Sequence, residues 1–419
     1  MFKNATLGSA KLFFVISFFV VSFSTALTNI FAGLLLITFL LAVLADRSLL
    51  APLKLTPSVL ALLLLAMLLL GWSWSIAPQD EVFHALGKYR KLLLLPIGIA
   101  LVWRDGALAR KAFLAFMAGA AALALATYLV WLDLMPTETF GWWTVGDPNK
   151  VFAFKSYITI GILLGFAAVA CWGCLPHLAS LRARICALLA GIYFAFPVIF
   201  LILGRSGYVV VLCGMISLCL LRFRRNRKML AASMLAVAIA VVLVFNLSDN
   251  IKMRSEQLET EVQSYSHTTE LNSTRIRLSF YRAGIQMFLH HPVLGTGTGS
   301  FAEGFAPTAM TLAPVGDPFR TERSQPHSEI VLMGVQLGSI GLLLYFGLLG
   351  SLALVVRHHK SYQADLLLLL CVSFAVPAAF NSLLWDFTEG HWFVLLAGCL
   401  YAAACRPDAP DLIRKRASA

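Results

Sequence analysis

The chain has 419 residues, of which 59% are hydrophobic and only 13% charged, and its mean hydropathy is +0.81. Soluble chains carry about 25% charged residues, so this one has too little polar surface to coat a globule, and a soluble domain, a disordered chain and a fibrous repeat are all excluded. The net charge of +12 is interpreted from where Lys and Arg stand, because the cytoplasmic loops of membrane proteins collect them; no nucleic-acid partner is inferred.

Apolar runs long enough to cross about 30 Å of hydrocarbon fall near 11–26, 28–45, 57–75, 92–104, 111–132, 155–174, 185–203, 207–222, 229–246, 328–351, 364–382 and 390–405, twelve in all. The fourth is short unless the amphipathic stretch Glu81 to Lys91 completes it. We therefore expect an all-α, polytopic membrane protein with about 12 transmembrane helices and one large, partly helical external loop. Placing the N-terminus inside puts Arg47, Lys54, Arg104 to Lys111, Arg182, Arg184, Arg222 to Lys228, Arg357 to Lys360 and Arg414 to Arg416 on the cytoplasmic side at every turn. Both termini are then cytoplasmic. Residues 1–26 have the alternative reading of a cleaved signal peptide, with Lys3 and Lys11 as its basic region. The expected organisation is helices one to nine over residues 1–247, the external loop over 248–327, helices ten to twelve over 328–405 and a cytoplasmic tail over 406–419.

Eight cysteines lie in or beside the apolar runs and imply no disulfide framework. Cys171 and Cys174 have redox-motif spacing but end a hydrophobic run, where packing of small residues is the simpler reading.

The external loop shows helical spacing over Ile251 to Ser266 and over Thr274 to His291, and Pro292 ends the second stretch. Gly295, Gly297 and Gly299 then mark a turn; it superficially resembles a phosphate cradle but follows no strand. Lys252, Arg254, Arg275, Arg277, Arg282, Arg320 and Arg323 face eight acids in this loop, so its bulk charge is near zero and only individually placed arginines carry information. Arg275 and Arg282 share a helix face, while Arg277 precedes Tyr281 by one turn. Arg205, between two apolar runs with no acid close in sequence, is a stronger candidate, since arginine at membrane depth is costly. Lys155 is of the same kind. The alternatives are solvated faces paired with Glu256, Glu259 and Glu261, and snorkelling of Arg205 to lipid phosphate.

Pro326 suits the first turn of a helix, which places His327 at the positive end of a helix dipole, where a protonated ring is disfavoured. A neutral imidazole accepts a proton, so His327 is a candidate general base. Gly334, Gly338 and Gly341 follow it on one helical face, as a lipid groove or as a packing seam. Asp386, Glu389 and His391 form a polar group on the last external turn, either touching substrate or capping it in water. External arginines beside one histidine suit group transfer from an anionic lipid carrier: guanidinium pairs with phosphate and stabilises the charge of a departing diphosphate. No Asp-x-Asp or His/Cys cluster appears in the external segments, so a metal-independent reaction is the simpler expectation. A twelve-span secondary transporter is the alternative of another class, disfavoured by unequal halves and by the absence of buried acids in the runs.

His327-Ser328, nine residues, Gly338, two residues and Gly341 are similar to the signature of the bacterial O-antigen ligase family, within the O-antigen ligase and polymerase superfamily. Arg205 after the seventh run, and the segment from Arg277 through His291-Pro292-Val293-Leu294-Gly295-Thr296-Gly297 to Phe301, resemble the same family, although Val209 stands where the family's Arg-x-x-x-Leu pattern has leucine. The resemblance implies a GT-C-like glycosyltransferase in the inner membrane of a Gram-negative cell, with its site on the periplasmic side. It implies an undecaprenyl-diphosphate-linked polysaccharide donor, a lipid A-core acceptor, inversion at the anomeric carbon and no cofactor. It also implies that Arg205 and Arg277 hold the diphosphate, with Arg275 and Lys155 as further candidates, and that His327 activates the acceptor hydroxyl. Tyr281, Arg282, Arg323 and Gly338 are expected to touch substrate. An O-antigen polymerase and a protein O-oligosaccharyltransferase are the alternatives within the enzyme class.

Overall fold

A computed structural model of the chain describes residues 2–135, 139–140, 143–144, 151–263, 273–312, 325–406 and 412. Helices dominate it, as they must where no water is present to satisfy backbone N–H and C=O groups. Helices α1 (Phe2–Val20) and α2 (Thr25–Ala45) form a hairpin, and a 3₁₀ stretch at Arg47–Lys54 turns by 90° into α3 (Thr56–Leu70). The amphipathic α4 (Gln79–Tyr89) buries Val82, Ala85 and Tyr89 and passes through a 3₁₀ turn into α5 (Leu94–Arg104). After α6 (Ala107–Trp131) comes the one departure from an all-helical chain among the described residues, a two-residue antiparallel ladder of β1 (Thr139–Phe140) and β2 (Trp143–Thr144). Helices α7 (Tyr157–Gly173), α8 (Leu181–Phe196), α9 (Arg205–Phe223) and α10 (Arg227–Leu247) follow. The expected external loop contains α11 (Asp249–Gln263), α12 (Ser273–His290) and α13 (Phe301–Leu312), the last not anticipated from the sequence. Helices α14 (Glu329–Ala353), α15 (Val355–His358), α16 (Tyr362–Ala378) and α17 (Phe387–Cys405) complete the described chain.

Each of the twelve apolar runs lies on a helix, yet among the described residues only seven helices are by themselves long and apolar enough to cross a membrane, or eight with the bent Arg47–Leu70 pair taken as one. The other four runs fall on α1, which carries Lys3 and Lys11, on the 11-residue α5, on the 17-residue α16, and on α17, whose first turn holds Glu389. Serine or asparagine side chains cap the starts of α2, α7, α8, α10, α14 and α16. α7 and α17 are buried at the centre, while α10 buries no residue and exposes Leu235, Val242 and Leu243 by more than half. An apolar surface of this extent belongs against hydrocarbon.

Lys3 pairs with Asp46 at 2.9 Å, Lys11 with Asp105 at 2.8 Å, and Arg406 donates to the Val102 carbonyl at 3.4 Å, so these basic termini share one end of the bundle. The starts of α9, α14 and α17 lie at the other.

The expectation of one continuous glycine face below His327 is corrected. Gly338 adopts φ +62° and ψ −153°, which breaks α14 there. The break frees carbonyls at 335 and 336 and N–H groups at 339 and 340, and the glycine-rich turn takes all four. Thr296 N–H donates to the Val335 carbonyl at 2.8 Å, Gly297 N–H to Gln336 at 2.9 Å, Ser339 N–H to Pro292 at 2.8 Å and Ile340 N–H to Val293 at 3.4 Å. Thr298 N–H donates to the Gly71 carbonyl and Gly299 N–H to Gln336 Oε1. The turn is thus a plug in a broken helix and has no donors left for a phosphate.

A Cβ at Gly338 would lie 2.3 Å from the Val293 carbonyl oxygen, and one at Gly297, where φ is +95°, 2.2 Å from Ser75 Cα. Gly338→Ala and Gly297→Ala are expected to destabilise by at least about 1–3 kcal/mol from backbone strain alone. Gly350→Ala, with nothing within 4 Å, is expected to melt like the wild type in a detergent thermal-unfolding assay.

Candidate functional site

The site is built around the start of α9. Helix α8 passes into a single π-helical turn at Pro197–Leu201, and Ile202 to Gly204 then cross over extended before Arg205 opens α9. Tyr208 Oη donates back to the Ile202 carbonyl at 3.0 Å. Gly204 lies so close to the Tyr157 carbonyl that a Cβ would approach it to 2.8 Å, which fixes the Arg205 turn against the start of α7. A cation in the first turn of a helix is disfavoured by the dipole, so Arg205 is not there to stabilise α9. An anion at the same spot gains both from the guanidinium and from the helix terminus.

Helix α11 is fastened over this turn, because Ser248 Oγ donates to the Ile199 carbonyl and Asn250 Nδ2 to the Phe200 carbonyl, both at 2.8 Å. It presents Ile251, Arg254, Ser255 and Leu258, a helical stripe, to a cavity of about 440 Å³ that Arg205 and Arg277 also line, with Tyr157, Tyr208 and Phe380. Glu261, farther along α11, stands 3.8 Å from Arg205 Nη2. Among the described residues the Nε atoms of Arg254 and Arg277 are buried without a hydrogen-bond partner, and Arg254 Nη1 donates to Gln257 at 2.8 Å. Buried donors that lack acceptors cost free energy until an anion supplies them.

In the sequence Arg254 is one of several basic residues of the loop, and the helical interval it shares with Ile251, Ser255 and Leu258 is the signal that marks its face. Arg277, one turn before Tyr281, lines the cavity, and Arg282 is exposed. The side chain of Arg275, and Arg320 and Arg323 altogether, lie outside the described residues.

His327 has φ +49°, an unusual backbone state for a non-glycine residue. Ser328 caps α14 and Glu329 begins it, so Pro326 lies before the helix, which corrects the expectation that it stands in the first turn. Tyr281 Oη donates to the His327 carbonyl at 3.4 Å and to the Ala379 carbonyl at 3.3 Å. Burial raises the Tyr281 pKa and nearby Arg277 opposes that shift, so the phenol stays a donor. Glu329 N–H donates to the Asn381 carbonyl at 3.2 Å, and Asn381 Nδ2 to Ser206 Oγ, beside Arg205, at 3.0 Å. The histidine backbone is therefore tied to α12 one turn from Arg277 and to the 379–381 turn, whose Phe380 lines the arginine cavity.

A second polar cluster lies behind the histidine. Glu329 Oε2 accepts from the Leu384 and Trp385 N–H groups at 2.8 and 3.1 Å, and Gln325 Nε2 donates to Asp386 Oδ1 at 3.3 Å. Lys91 Nζ donates to the Asp386 carbonyl, and Lys155 Nζ to Thr388 Oγ1 at 3.0 Å. Lys155 thus sits in this cluster, apart from the residues lining the arginine cavity. Burial, helped by Glu389, pushes the Asp386 carboxyl well above the usual carboxylate range. Glu389 and His391 are buried, so the reading of this group as a hydrated cap is corrected. Gly338 is buried against Val293, which leaves it a packing position. No cluster of three or more His, Cys, Asp or Glu side chains suited to a metal occurs among the described residues.

A comparison with curated proteins found no match. Residues 188–346 match the family model described as O-antigen ligase, a stretch that runs from α8 into α14 and includes Arg205, Arg254, Arg277 and His327. Over that stretch, which carries the three arginines of the cavity, the chain is similar to the O-antigen ligase family.

Proposed function

We propose that the protein is an O-antigen ligase that transfers undecaprenyl-diphosphate-linked polysaccharide to a sugar hydroxyl of lipid A-core. The reaction takes place at the periplasmic face of the inner membrane, with both termini cytoplasmic and about twelve spans. The observation that carries this reading is the junction of two cavities. The arginine cavity shares Tyr208 and Ile251 with an apolar cavity of about 590 Å³ that α7 to α10 line, Met215, Leu218, Ala240 and Val244 among its residues. A ligand with a doubly charged head and a long hydrocarbon tail fits both at once.

In this reading Arg205 and Arg277 hold the diphosphate, and their charge stabilises the negative charge that grows on it as the glycosidic C–O bond breaks. The acceptor oxygen attacks the anomeric carbon from the opposite side, which inverts it, and gives its proton to the His327 imidazole. Undecaprenyl diphosphate departs without needing a proton. Because guanidinium groups supply the positive charge, the reaction is metal-independent. The family match also covers polymerases, in which the acceptor is a second carrier-linked repeat unit; the acceptor that supports turnover separates the two.

Reconstituted with carrier-linked O-antigen and rough lipopolysaccharide, Arg205→Ala, Arg277→Ala and His327→Ala are each expected to lose at least about 100-fold in rate, with wild-type turnover unchanged by chelator. Full activity in all three variants would overturn the site, and turnover with only carrier-linked units as acceptor would make the protein a polymerase. Tyr281→Phe removes the donor to the His327 and Ala379 carbonyls, and a fall in kcat of about three- to tenfold with unchanged donor KM is expected. Ala240→Trp fills the apolar cavity; a raised KM for the undecaprenyl donor, but not for a short-chain analogue, is the outcome to measure.

A further inference from the structure

Helix α11 brings two opposed charges to the same anion site. Arg254 and Glu261 are seven residues apart and share a face of the helix, on the stripe formed by Ile251, Ser255 and Leu258. Arg254 lines the cavity, with its Nε buried and without an acceptor. Glu261 approaches Arg205, the residue that opens α9, with its carboxylate 3.8 Å from Nη2 and both side chains about one quarter exposed. Three guanidinium groups thus line one cavity, where, among the described residues, a single carboxylate is in ion-pair range of Arg205.

The helix itself is held in place independently of these charges, by the bonds of Ser248 and Asn250 to the 199–200 carbonyls. The position of α11 does not require the ion pair. Glu261 reaches toward the same guanidinium that an incoming phosphate must engage, so the two anions compete for Arg205. Arg254 and Arg277 still have donors to offer a larger anion.

We infer that Arg254 is a third phosphate-binding residue of the donor site and that Glu261 is an internal counter-ion of Arg205 that the diphosphate displaces. This rests on the proposed donor chemistry and adds two roles to it. With the site empty, Glu261 offsets part of the repulsion among the three arginines. When a diphosphate arrives, its two phosphate groups serve three guanidinium groups, and the carboxylate turns away to water. The pairing lowers apparent donor affinity by the fraction of molecules in which Arg205 is already engaged, and it discriminates against monoanions, which cannot satisfy all three arginines together.

The test measures donor KM and kcat at saturating acceptor, and inhibition by inorganic pyrophosphate, in the full-length wild type and in Glu261→Gln, Arg254→Ala and Arg254→Lys, with melting temperatures recorded for each. Glu261→Gln is expected to lower donor KM and the pyrophosphate inhibition constant by about two- to fivefold with kcat unchanged. Arg254→Ala is expected to raise both by about tenfold or more, with Arg254→Lys between it and the wild type. Should Arg254→Ala melt lower, the lysine variant decides, because a purely structural role predicts wild-type KM once the charge is restored. Donor KM unchanged or raised in Glu261→Gln, or at the wild-type value in Arg254→Ala, overturns the inference. If Arg205→Ala and Arg277→Ala keep full activity, the donor site itself fails; if they lose it while the α11 variants behave as wild type, only the roles of Arg254 and Glu261 fail.

Discussion

Three guanidinium groups around one half-enclosed cavity repel one another, and none can lose its proton to relieve the strain. Partial burial weakens the screening of their charges by water, so negative charge between them stabilises the arrangement. Glu261 supplies part of that charge. Much of the surrounding architecture serves to keep the arginines together despite this repulsion: the π turn before α9, the close approach of Gly204 to α7 and the two side-chain bonds that clamp the root of α11. Those contacts are polar or steric and do not depend on the arginine charges.

The second constraint is the interrupted helix α14. A helix broken at membrane depth exposes backbone groups that lipid cannot satisfy, and the 291–299 turn closes the gap with backbone hydrogen bonds. That plug connects the segment after α12, which carries Arg277 and Tyr281, to the same helix whose start follows His327. The histidine and the arginines are thereby mounted on one frame. The cluster of Glu329, Asp386, Lys91 and Gln325 stiffens the frame from behind through hydrogen bonds among its side chains and the 384–386 backbone.

The hydrophobic runs were legible because a membrane helix needs only a long enough apolar stretch, and all twelve lie on helices. Yet α5 and α16 are too short to qualify by length alone, since a neighbouring segment completes a buried helix in ways that a linear count does not register. Arg205 also stands out in the sequence, because a charge with no nearby acid is conspicuous at membrane depth, and the structure places it in the cavity wall. Arg254 does not stand out. It sits in a loop with balanced charge, and only the docking of α11 on the π turn carries it to Arg205. Lys155, in the sequence a weaker candidate of the same kind as Arg205, is turned by the fold toward Thr388 in the buried cluster.

Composition and hydropathy alone determined a helical membrane protein, because transfer of apolar side chains into hydrocarbon depends on each segment by itself. The local sequence also determined the turn at Gly295 to Gly299 and the end of α12 at Pro292, since glycine and proline act on their own backbone. The tertiary structure decided what the turn is for, where α14 breaks and which arginines line one cavity. Those outcomes come from hydrogen bonds and charges between residues far apart in the chain, and nothing within a single segment specifies its partner.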